Sequence, residues 1–116
     1  MTRYLAIFLG TPDSMAGWNA LDEATRKAKE SEGIQAWKDW MEKHKSALAQ
    51  MGSPLGKTLR VDRSGFAPTK NAMTAWVAVD ADSHEAAARM FEGHPHFTIF
   101  PGESIEVMEC LPIPGM

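Results

Sequence analysis

Two histidines flank a proline in "EGHPHFTIFPGESIEV", residues 92–107. His94 and His96 are the side chains best placed by type and spacing to do chemistry. Proline holds the residue before it in extended backbone, so residues two apart can present their rings to a common side. An imidazole titrates near ~6.5 and serves as an acid or a base at neutral pH. The pair also has a metal-ligand spacing, but it supplies two ligands where a site needs at least a third. Glu103, His44 or Asp13 could complete a set only if the fold gathers them. The bland alternative is a stiff connector, with one ring solvated and one bonded to backbone. The expectation is a connector that forms part of a pocket rim and binds no structural metal. Gly93 before it and Pro101-Gly102 after it bound a loop long enough to carry function.

His44 lies in an apolar stripe between Trp37, Met41 and Leu48, where a buried ring nitrogen needs a partner. It is either a structural histidine or a base at the edge of a cavity. By strand parity, Arg60 and Glu106 are expected on a common sheet face, where they would bridge subunits or orient a ligand. Tyr4, Phe8, Trp76 and Met108 are expected beside them. Cys110 reads as a packed thiol with nothing near it to activate it. "MGSPLGK" follows a helix and precedes a strand, the reverse of the order a phosphate cradle needs.

The chain is of one-domain size: 116 residues, 44% hydrophobic and 23% charged, with net charge −3. Nothing in it argues for nucleic acid. A single cysteine excludes a disulfide framework. No run is long enough for a membrane span, and a cytoplasmic protein without a cofactor is expected.

The elements that must position these residues follow from periodicity. Strands are expected near 3–9, 57–63, 72–80 and 104–111. A thin, charged surface helix should cover 21–32 and an amphipathic helix 34–51, stopped by Gly52 and Pro54. A second helix should cover 83–92, with Asp82 as its cap and Glu85 completing a capping pair. The order is β-α-β-β-α-β, the split ferredoxin-like arrangement: α+β, with both helices on one face of a four-stranded antiparallel sheet. The other face then needs a cover, and a homodimer joined through the sheets, with or without a ligand cavity between them, is the simplest one.

Several stretches carry a family pattern: "YLAIFLG", Trp37-x-x-Trp40, "MGSPLGKT", "WVAVDADSHEAAARMFEGHP" and "GESIEVMECLPIPGM". Together they resemble the YCII-related (DGPF-type) family of the dimeric α+β barrel superfamily over nearly the full chain. The resemblance implies a ferredoxin-like protomer, a dimer through the sheets and a cleft at the interface. The histidine proposed for that family on the first helix aligns with Met41, with His44 one turn on. "GHPHF" stands where the family often has aspartate-proline-phenylalanine. The proposed His–Asp pair is therefore not reproduced, and its activity does not carry over. Two functional classes stay open. One is a small-molecule binder or enzyme, with His94, His96 or His44 moving a proton and Tyr4, Phe8, Arg60, Trp76 and Glu106 lining the ligand. The other is a non-catalytic dimerising interaction module.

Overall fold

A computed structural model describes residues 1–116. Its elements are β1 (Thr2–Leu9), α1 (Pro12–Asn19), α2 (Glu23–Lys43), β2 (Leu48–Pro54), β3 (Thr58–Asp62), β4 (Gly65–Thr69), β5 (Met73–Ala81), α3 (His84–Arg89), α4 (Pro95–Thr98) and β6 (Ser104–Glu109). Four strands form an antiparallel sheet in the order β2-β5-β1-β6, and β3 and β4 form a separate two-stranded hairpin. Counting only the sheet strands and the helices α2 and α3, the chain runs β-α-β-β-α-β, as expected.

The second sheet strand is not the expected one. β2, at 48–54, pairs with β5, whereas the expected strand at 57–63 pairs only with β4. Two register shifts interrupt β2, at Leu48/Gln50 and at Gln50/Ser53. Gly52 sits in it at φ +64°, where an added Cβ would strike the Trp76 carbonyl. Bulges and a left-handed glycine erase the two-residue alternation that marks a strand. Leu48 and Met51 therefore continue the helical stripe only on paper.

The two helices expected at 21–32 and 34–51 are one. Asp22 caps α2, its carboxylate accepting the Thr25 N–H at 2.7 Å. The helix runs through Gly33 and ends at Lys43, with His44 as its C-cap. A glycine inside a helix costs about 1 kcal/mol, and here the missing Cβ leaves room for the Phe100 ring. The expected second helix is shorter and is capped by Ser83, not Asp82, through a bond from the Ala86 N–H. "PHFT" at 95–98 is a further helical turn rather than open loop.

Register fixes the faces. Tyr4, Ala6 and Phe8 lie opposite Val79, Val77 and Ala75. With Trp40, Ala87 and Phe91 these side chains build the core beneath the helices. Tyr4 and Phe8 are thus buried on the helical side and not on the outer face assigned to them above. The outer face carries Leu5 and Ile7 from β1, Trp76 and Ala78 from β5, and Glu106 and Met108 from β6. Trp76, Met108 and Glu106 stand where strand parity put them. Arg60 does not: it belongs to the hairpin and pairs with Asp62 at 3.4 Å. Trp40 Nε1 donates to the Met90 carbonyl at 2.7 Å and ties α2 to the end of α3.

Candidate functional site

The chain turns sharply after α3. Gly93 takes φ +68°, a left-handed conformation that glycine adopts without steric cost. His94 follows in extended backbone and caps α4, with Pro95 at the first helical position. The cap is the ring itself: His94 Nδ1 accepts the backbone N–H of His96 at 2.9 Å. Both histidines are buried, His94 fully. Neither is solvated, and the rings do not act as a parallel pair on an extended strand.

His94 sits in an aromatic cage. Its ring centroid lies 4.6 Å from Trp37, 4.8 Å from Trp40 and 5.1 Å from Phe8. Because Nδ1 accepts a hydrogen bond, the proton of the neutral ring is on Nε2. That Nε2 is buried without a hydrogen-bond partner. The surrounding π faces are the only acceptors the cage offers it. Burial, reinforced by His96 and His44, pulls the His94 pKa down to about 3. The ring is neutral at any ordinary pH and is sealed from a ligand.

His96 is placed differently. Its Nε2 lies 2.8 Å from the Leu9 carbonyl. A carbonyl only accepts, so Nε2 carries the proton and Nδ1 keeps its lone pair. That nitrogen makes no hydrogen bond within the chain. Burial lowers the His96 pKa, while backbone contacts at Leu9 and Ser104 oppose the shift. Gly102 lies directly against the ring, where an added Cβ would collide with it. The ring is thus neutral, held on one edge, and in possession of one free basic nitrogen.

Two cavities meet at His96. The larger, about 510 Å³, lies between α2 and the β2–β5 edge. Trp37, Met41, Phe100 and Ala75 give it apolar walls, Thr74 and Ser53 add hydroxyls, and Lys38 stands at its rim. The smaller, about 400 Å³, lies beside the β1–α1 turn and shares Thr74, His96 and Phe100 with the first. The larger volume suits a small organic molecule, and a mostly apolar wall with a few polar groups is the usual composition of such a site.

Among the residues expected from sequence, the structure brings His94 and His96 together. It places His44 at the end of α2, 4.8 Å from the Trp40 ring, where burial and Lys43 lower its pKa. His44 lines neither cavity. Phe8 forms part of the cage under the His94 ring, and Tyr4 stacks on His84 at 5.2 Å. Trp76 lines the larger cavity, while Arg60 and Glu106 line neither. Thr74, Phe100 and Lys38 were missed. The glycine inside the α2 pattern was the signal that could have led to Phe100, because such a glycine marks a close approach. No group of three or more His, Cys, Asp or Glu side chains is gathered where a metal could be held.

No protein-family model matches the chain, and no curated protein matches it. A solved structure does. It is 5-chloro-2-hydroxyhydroquinone dehydrochlorinase (TftG) from Burkholderia phenoliruptrix AC1100, in complex with 2,5-dihydroxybenzoquinone. The match has a TM-score of 0.53 at 15% identity and covers 90% of this chain and 89% of that one. The two chains share a fold. No helix of this protein is long and apolar enough to cross a membrane.

Proposed function

We propose that the protein binds a small, largely apolar molecule bearing an acidic hydroxyl in the α2/β2–β5 cavity, with His96 as the group that accepts its proton. The observation that carries this reading is the state of His96: a neutral ring on the wall of both cavities, anchored through Nε2–H, with Nδ1 unengaged. A hydroxyl on the ligand donates its proton to Nδ1; a ligand already ionised at neutral pH, as 2,5-dihydroxybenzoquinone is, reaches the same pair when the ring takes a proton from water and its Nδ1–H donates to the anion. The imidazolium then formed has two N–H groups, and the Leu9 carbonyl stabilises the one it already holds. Burial makes the charged ring costly, so a weakly acidic alcohol stays a hydrogen-bond donor while a phenol or enol is the better match. Lys38 at the rim favours the resulting anion. TftG, with the same fold, is solved with a hydroxylated quinone, a molecule of this chemical class.

A cytoplasmic homodimer joined through the outer sheet face belongs to the same reading, as does kinship with the YCII-related proteins. The interface would centre on Leu5, Ile7, Trp76, Ala78 and Met108, not on Tyr4 and Phe8. The alternative, a non-catalytic dimerising module, calls for a filled wall and solvated histidines; the open cavity and buried rings favour binding.

The test is titration with 2,5-dihydroxybenzoquinone, followed by the fluorescence of Trp37 and its neighbours. Saturable quenching in the wild type, weakened at least tenfold in His96→Gln, is expected. Glutamine keeps a donor for Leu9 but has no imidazole nitrogen. Equal affinity in both proteins would contradict the assignment.

A further inference from the structure

The β3–β4 hairpin is an arm with little support from its own chain. Its strands make their contacts with each other, and the radius of gyration is 16.2 Å against roughly 13 Å for a compact domain of about 100 residues. The molecule measures 54 × 43 × 18 Å, so it is only as thick as one sheet and one helix layer. An isolated two-stranded hairpin is marginal in water and needs a further layer.

The arm also has the chemistry of a contact surface. Leu59 lies opposite Pro68 and Val61 opposite Phe66, which puts all four on one face. Leu59, Val61 and Phe66 are 60%, 78% and 73% exposed. Lys57, Arg63 and Lys70 bracket the two strands in sequence, while Arg60 lies on the other face opposite Ala67 and pairs with Asp62; residues 57–70 together carry +3. The whole chain is −3, so the remainder carries −6. Lys57, Arg63 and Lys70 form no ion pair within the chain.

We infer that this arm is a clasp: its apolar, basic face docks on the acidic body of a second copy of the same chain. The occupant is argued from charge and from continuity. A basic arm and an acidic body in one sequence are complementary between copies. The arm leaves the sheet at Pro54, at the end of the edge strand β2, which pairs with β5, the strand that carries Trp76 on the outer face. Leu59, Val61 and Phe66 stay exposed in the single chain, so the arm's apolar face is free for a partner. This inference rests on the dimer reading given above and adds to it a second, electrostatic contact.

The experiment is sedimentation equilibrium of the full chain, of Val61→Ser/Phe66→Ser, and of Arg63→Glu/Lys70→Glu, each in 50 and 500 mM salt. Near-ultraviolet circular dichroism checks that the body stays folded. Both variants are expected to raise the dimer dissociation constant at least tenfold at low salt, and the wild-type constant is expected to rise with salt. A wild-type dimer that neither variant weakens overturns the clasp and leaves the sheet-face dimer standing. A monomeric wild type overturns both. A gel shift with duplex DNA is the remaining arm: arm-dependent binding to DNA, with dimerisation unaffected by the arm, assigns the basic face to nucleic acid and also overturns the clasp.

Discussion

His94 Nδ1 accepts the backbone N–H of His96 at 2.9 Å, so one histidine caps the helical turn that carries the other. The two do different work. His94 is sealed in aromatic rings and fixes the backbone; His96 lines both cavities and is anchored through Nε2 to the Leu9 carbonyl.

His94→Ala removes both the cap and the ring that fills the cage. Cap losses run at about 0.5–2 kcal/mol, and emptied core sites cost more. A loss on the order of 2–4 kcal/mol is expected, read from the urea midpoint. His94→Asn keeps a capping acceptor and should recover part of it. A His94→Ala midpoint equal to wild type would mean that the cage supports nothing.

Stability should fall in acid with a defined sign. The His94 pKa is lowered from 6.5 to about 3, and those of His44 and His96 are lowered too. Unfolded chains therefore bind protons that the folded chain refuses. For His94 the stabilisation is complete above about pH 6.5 and is lost as pH falls toward 3, at up to ~1.4 kcal/mol per pH unit. Urea midpoints between pH 7 and 4 measure it. His94→Gln should flatten the slope, and an unchanged slope would place His94 in contact with water.

How much of this was legible in the sequence depends on what carried the signal. β1, β5, β6 and the helical stripe around Trp37 and Trp40 were readable because each is regular. β2 was not, because two register shifts and Gly52 hide its alternation. The face of β1 was misassigned because both of its faces are apolar; only the pairing of Phe8 with Ala75, and the Trp37 ring stacked on Phe8 at 5.2 Å, decides the side. The histidine pair was found as a pair. Its division of labour was not, since burial in a cage of three distant aromatic residues leaves no local trace.

Gly102→Ala probes the seat of the His96 ring without touching the ring itself. The new methyl would collide with the imidazole, so the ring must tilt away from Leu9 or the turn must open. Affinity for 2,5-dihydroxybenzoquinone should drop severalfold while α2 and the sheet stay intact by far-ultraviolet circular dichroism. Unchanged affinity would argue that the ring's position is immaterial to binding.

Trp76→Glu places a carboxylate on the outer sheet face, beside Ile7. In a sheet-to-sheet dimer this buries a charge at a cost of several kcal/mol unless it is paired. The variant should sediment as a folded monomer at concentrations where the wild type is dimeric. A dimer of undiminished affinity would move the interface elsewhere.

The central claim is the state of the His96 ring, and long-range proton–nitrogen correlation NMR of the imidazoles reads it directly. The prediction at pH 7 is the Nε2–H tautomer for His96, with an Nδ1 resonance typical of a bare lone pair that moves on addition of 2,5-dihydroxybenzoquinone while the His94 signals hold still. A His96 ring protonated on Nδ1, or one that ignores the ligand while other residues respond, would contradict the account.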